Sequence, residues 1–449
     1  MPLAQDHRTR TRSPRTPRMR VPGSRTAARA TASAVRRTPS GSPWTLRLVA
    51  VGLVLAALNL RPAISGLGPL LEEVRTALGM TGTVAGLLTS MPSLCFALFG
   101  SLAPRMARRF GPATVVLAGM VAVTAGLALR PFTGGTALFL AASVLALAGI
   151  AVSNVLMPVV VKHWFPNRVG AMTGLYSMAL SLGTAGAAAV TVPLTEALGG
   201  DWRIGLASWA ALSLAAVVPW AAVARGRTDA DPRPPRDEER AAPAERVASG
   251  EAETAGTLRI SRSSTAWALG VFFGFQSSAA YIIMGWLPQI FRDAGVPAST
   301  AGAMLAVTMG MGIPLSFVLP RVAARMTHQG PLAIALGLCG LAGYAGLWAA
   351  PAAGAWAWAL LLGVSNCAFP LVLTMIGMRA RTSTGVVKLS AFAQSTGYLL
   401  SIPGPLLVGA LHQLGGGWHA PLLLMIGLMT AQMAVGLLAG RDRCVEDGR

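Results

Sequence analysis

Apolar stretches long enough to cross a lipid bilayer recur along nearly the whole chain, separated by short polar segments. A spanning helix needs about 20 mostly apolar residues, because backbone polar groups cannot go unsatisfied in the hydrocarbon core. Twelve runs meet that requirement: 46–71, 82–103, 112–130, 136–161, 170–195, 203–224, 265–291, 300–320, 331–350, 355–378, 385–411 and 420–440. Of 449 residues, 53% are hydrophobic and 12% charged, too apolar a balance for a soluble surface. The expected fold is all-α and integral to the membrane.

Six runs lie on each side of residues 225–264, which hold Pro232-Arg-Pro-Pro235 and Asp237-Glu-Glu-Arg240 and are too polar to bury. The chain therefore divides into a basic N-terminal tail (1–45), a first six-helix half (46–224), a flexible cytoplasmic linker (225–264), a second half (265–440) and a C-terminal tail (441–449). The halves repeat one another. Ala85-Gly86 recurs as Ala301-Gly302 and Pro104-Arg105 as Pro320-Arg321, both 216 residues on; Ser153-Asn154 with Pro158 recurs as Ser365-Asn366 with Pro370, 212 residues on. Matching helix index, matching order and a nearly constant offset point to two pseudo-symmetric six-helix bundles.

The formal charge of +20, from 37 Lys and Arg against 17 Asp and Glu, would suggest nucleic acid in a soluble domain. Its distribution excludes that. Ten arginines precede residue 46 in a tail rich in Pro, Ser and Thr, and most others lie in short loops. The tail has the composition of a transit peptide, and Arg36-Arg37 matches a twin-Arg signal. The apolar run behind it, however, is long enough to span and offers no small-residue cleavage site. It reads as a disordered cytoplasmic tail, suited to anionic lipid. Arg105, Arg108 and Arg109, Lys162 and Arg168, the linker, Arg321 and Arg325, and Arg379 and Arg381 all fall in even-numbered connections. Positive loops stay inside, so both termini are expected in the cytoplasm of a multi-pass cell-membrane protein.

The four cysteines are isolated, and no Gly-x4-Gly-Lys-Ser/Thr or His-Glu-x2-His run occurs. No metal or cofactor is expected, and no enzyme activity, since no nucleophile, metal set or carboxylate pair falls inside the runs. All 17 acids lie in tails, linker, loops or helix ends, which makes proton coupling through a buried carboxylate less favoured.

Arg61, in Asn59-Leu-Arg-Pro-Ala-Ile-Ser65, sits about fifteen residues into its run. An Arg in hydrocarbon costs about 2.5–3.5 kcal/mol even on the lenient insertion scale, so it should face a cavity. Its rigid fork of five donors suits a small oxygen-bearing anion, and no membrane carboxylate is there to pair with it. Polar residues at helical spacing complete a candidate substrate site: Asn59 beside Arg61, Gln276 with Ser277 and Tyr281 in the seventh run, Gln394, Tyr398 and Ser401 in the eleventh, and Ser177, Ser181 and Thr184 in the fifth. Asn154 with Pro158 and Asn366 with Pro370 read as hinge or structural pairs, the amide capping the carbonyl that proline leaves unpaired.

The loop Gly100-Ser-Leu-Ala-Pro-Arg105-Met-Ala-Arg108-Arg109 resembles the signature of the major facilitator superfamily, with Pro104 in place of the usual Asp. The run Asn59-Leu-Arg-Pro-Ala-Ile-Ser-Gly-Leu-Gly-Pro-Leu-Leu71 resembles the cyanate and 2-nitroimidazole transporter branch of that family. The resemblance covers residues 46–440. It implies a monomeric permease moving a small polar or anionic solute by alternating access, with Arg105, Arg109, Arg321 and Arg325 as a cytoplasmic gate. Drug or metabolite efflux is the alternative reading, weakened because the fifth run has Gly183-Thr-Ala-Gly-Ala-Ala188 where exporters show Gly-Pro-x2-Gly-Gly. A membrane receptor that does not transport is the third.

Overall fold

A computed structural model describes residues 43–225 and 260–446. The expected disordered tail up to residue 42, most of the expected flexible linker and the last three residues lie outside the described residues. Among the described residues twelve helical spans alternate in direction: α1 Trp44–Ala77, α2 Gly82–Phe110, α3 Pro112–Phe132, α4 Thr136–Trp164, α5 Pro166–Ala197, α6 Trp202–Arg225, α7 Ser264–Asp293, α8 Ala298–Arg325, α9 Gly330–Ala349, α10 Ala355–Met378, α11 Ser383–Ser401 continuing as Pro403–Gly415, and α12 His419–Ala439. Eleven are long and apolar enough to cross a membrane as they stand. The exception, α11, is divided and carries Lys388, Ser390, Gln394, Ser395 and Thr396 in its first part.

Helix starts follow local chemistry. Thr81, Ser263 and Thr382 accept hydrogen bonds from the amides of Val84 (3.3 Å), Ala266 (3.4 Å) and Gly385 (3.0 Å), capping α2, α7 and α11. Four spans break internally: α1 at Leu60 and Arg61, α8 at Met311, α10 at Cys367 and α11 at Ile402. Pro62, Pro314, Pro370 and Pro403 follow within three residues, and each proline removes a donor and crowds the turn before it. By contrast Pro158 stays inside an unbroken α4, so the paired prolines of α4 and α10 act differently. The first span also runs six residues past its expected end, because Leu71 and Val74 bury one face of an amphipathic last segment.

The two halves meet through backbone contacts that only glycine allows. A Cβ on Gly68 of α1 would run into the Met284 carbonyl of α7, one on Gly302 of α8 into the Ala188 carbonyl of α5, and one on Gly86 of α2 into the Leu406 carbonyl of α11. These contacts lie toward the end of the bundle that carries the α1–α2, α7–α8 and α11–α12 loops. An ion pair reinforces that end: Arg292 donates to both Glu73 carboxylate oxygens at 2.8 Å and to the Pro69 carbonyl at 3.0 Å. Thr83 donates to Gln413 through its amide at 3.1 Å and its hydroxyl at 3.2 Å. At mid-depth Ser401 donates to Ser93 at 2.7 Å. Toward the opposite end, Gly170 and Gly174 of α5 and Gly377 of α10 have open space where a Cβ would sit.

Candidate functional site

A cavity of about 140 Å³ opens between the halves at mid-depth, lined by α1, α5, α7, α8, α10 and α11. Arg61, Ser181, Thr184, Ser277, Tyr281, Ser316, Asn366 and Tyr398 supply its polar wall. The break in α1 places Arg61. Its carbonyl accepts the amides of Ile64 (2.9 Å) and Ser65 (3.0 Å) and the Ser65 hydroxyl (3.1 Å), so it starts the short helix Pro62–Ser65. The side chain, half-buried, leaves the helix at the seam instead of packing along it.

Aromatic rings frame the guanidinium. Its central carbon lies 5.9 Å from the Phe96 ring centroid, within range of a cation–π attraction. Phe96 stacks on Tyr398 at 5.0 Å, Tyr398 meets Phe273 edge-on at 5.1 Å, and the Tyr281 hydroxyl faces Arg61. Among the described residues Arg61 forms no ion pair, and no Asp or Glu is buried. The wall therefore carries a positive charge, hydroxyls and one amide, with no carboxylate against it.

A family model described as Major Facilitator Superfamily matches residues 49–402. The chain belongs to the major facilitator superfamily. Within that superfamily it is 34% identical to the 2-nitroimidazole transporter of Escherichia coli (strain K12), over 87% of this chain and 95% of that protein. It is 28% identical to the cyanate transport protein CynX of the same organism, over 84% and 94%. Among solved structures, the inward open conformation of the xylose transporter XylE from E. coli superposes with a TM-score of 0.66 at 14% identity, covering 88% of this chain and 94% of that one. Fold and relatives are those of transporters, with two six-helix halves, and not of enzymes.

In this major facilitator the residues expected at the substrate site separate into two groups. Arg61, Tyr281 and Tyr398 line the cavity together. Asn59, Gln276 and Gln394 do not. Fully buried Asn59 donates to the Leu55 carbonyl at 2.8 Å and the Leu212 carbonyl at 3.1 Å, tying α1 to α6. Gln276 donates to the Asn366 carbonyl at 2.9 Å and side-chain oxygen at 3.0 Å, and accepts from Gln432 at 2.8 Å, joining α7, α10 and α12. Gln394 donates to Ser390 at 2.7 Å on its own helix.

The amide-cap expectation for Asn366 needs correction. The carbonyl freed by Pro370 is that of Asn366 itself, and Gln276 from α7 satisfies it, because the broken turn turns this carbonyl toward the neighbouring helix. Asn366 and Pro370 line the cavity, whereas Asn154 and Pro158 do not. Arg105, Arg109, Arg321 and Arg325 are all exposed at the open end, and none forms an ion pair among the described residues. Arg321 donates to the Phe317 carbonyl at 2.9 Å and Arg109 lies over Phe110. Ser277, expected beside Gln276 and Tyr281, presents a hydroxyl with no protein partner to the cavity wall. Sequence reasoning gave no role to Arg130, at the end of the third run, which is buried.

Proposed function

We propose that the protein is a secondary transporter carrying a small polar or anionic solute across the cell membrane, of the cyanate or nitroimidazole class, by rocking its two halves about the central cavity. The observation that carries this reading is the unpaired Arg61 guanidinium on the wall of a cavity between the halves. A fixed fork of donors without a carboxylate partner favours an anion or a planar nitro group, whose oxygens accept two parallel hydrogen bonds. The flanking rings of Phe96, Tyr281 and Tyr398 add contacts suited to a flat solute. A volume of about 140 Å³ suits a small solute.

With positive loops inside, the packed end is the outer one and the structure is the inward-facing state. Arg105, Arg109, Arg321 and Arg325 then stand apart at the open cytoplasmic mouth, to be drawn together when it closes. A thermal-shift screen of purified protein against small anions and nitroaromatics tests the binding half of the proposal. The expected result is a dose-dependent stabilisation by at least one such compound that Arg61→Ala abolishes. Equal stabilisation of folded Arg61→Ala would remove this arginine from the site.

A further inference from the structure

Arg130 closes the last turn of α3 and is 2% exposed. Its Nη1 donates to the Ala63 carbonyl at 3.0 Å, and its central carbon lies 5.9 Å from the Phe139 ring centroid. Its Nε and Nη2 have no acceptor in the protein, and Arg130 forms no ion pair among the described residues. Beside it lies a cavity of about 20 Å³, separate from the central one, bordered by Thr89, Ser143, Tyr281 and the backbones of Gly68 and Gly285. The Ser143 and Thr89 hydroxyl protons are already committed to the Phe139 and Gly86 carbonyls. The guanidinium is thus the principal free donor facing the space.

A buried cation without a counter-charge is strongly disfavoured in a medium of low dielectric, and an anion in the adjoining space offsets that cost. The volume narrows the choice. Space of about 10–15 Å³ holds one water-sized sphere, so about 20 Å³ admits one small sphere and no carboxylic acid or phosphate. We propose that this cavity is a binding site for a single monatomic anion, a halide ion, held by Arg130. The site stands apart from whatever solute the central cavity carries.

Its position also assigns it a consequence. The walls come from α1, α2, α3 and α4 of the first half, but Tyr281 and Gly285 come from α7 of the second. Gly68 and the Met284 carbonyl form the tight contact between halves at this level. Separating the halves at the packed end would withdraw α7 and open the cavity to solvent. An anion bound there favours the state in which that end is closed, and by linkage closure favours the anion. Tyr281, which borders both cavities, places the two sites on one side chain.

Bromide serves as the probe. In a melting experiment on the full chain in detergent, bromide replaces gluconate at constant ionic strength. Wild type and Arg61→Ala should both gain about 2 °C or more in saturable fashion, and Arg130→Gln should gain nothing. A gain retained in Arg130→Gln, or absent from wild type, would overturn the proposal. Should Arg130→Gln fail to fold, anomalous diffraction from wild-type crystals grown in bromide decides the matter. A peak against the Arg130 guanidinium is expected; peaks confined to other places, or none, would refute the site.

Discussion

Arg61 owes its position to a helix break and Arg130 to a helix end, and both arrive in the protein interior without an acid. The charge of Arg61 was legible because a cation so far inside an apolar run has few places to go. Tyr281 and Tyr398 were legible through their helical spacing. That spacing reports which face a residue shares, but not whether another helix already satisfies it, which is why Asn59, Gln276 and Gln394 read as ligands while bonding within the scaffold. Arg130 escaped notice because it sits at the edge of its run, where sequence carries no measure of depth. Replacing Gln276 with Leu strands the Asn366 carbonyl and the Gln432 amide, and should cost about 1 kcal/mol of stability, the scale of interhelical hydrogen bonds in membranes. Reversible unfolding in mixed micelles checks this, with solute binding at Arg61 expected to survive.

At the scale of the helix, the prolines and glycines were visible in sequence, but their effects were not. Pro158 and Pro370 occupy matching places in the repeat, yet only the second follows a broken turn, because Gln276 is there to take up the freed carbonyl. The ends of α1 and α7 are pinned by Glu73 and Arg292, whose side chains are 33% and 21% exposed. Partial exposure limits such a pair to about 1 kcal/mol, which still corresponds to a roughly fivefold shift between two states. Glu73→Gln should therefore raise the population open at this end by about that factor. Labelling of a cysteine introduced at Gly68 is not suitable, since any side chain there meets Met284; solvent accessibility of Ser90→Cys in a cysteine-free background reports the opening instead. Unchanged labelling in Glu73→Gln would show that the glycine contacts alone hold the end shut.

For the whole molecule, the twelve-span count and the doubling were read correctly from apolar length and from the paired Pro-Arg and Ser-Asn-x3-Pro runs, since lipid permits so few alternatives to a helix. The state of the transporter was not legible, because the same contacts must break and reform in a cycle. Arg105, Arg109, Arg321 and Arg325 are exposed, as the proposed inward-facing state requires. Spin labels at Met106→Cys and Ala324→Cys, with Cys95, Cys339, Cys367 and Cys444 replaced, should show a shorter-distance population that grows in Glu73→Gln. The most direct measurement is uptake of labelled small anions and nitroaromatics into proteoliposomes by wild type, Arg61→Lys and Arg61→Gln, at equal amounts of folded protein. A charge-assisted hydrogen bond contributes about 1.5–3 kcal/mol, so flux should fall by about tenfold or more in Arg61→Gln, with Arg61→Lys between the two. Wild-type flux from folded Arg61→Gln would contradict the account.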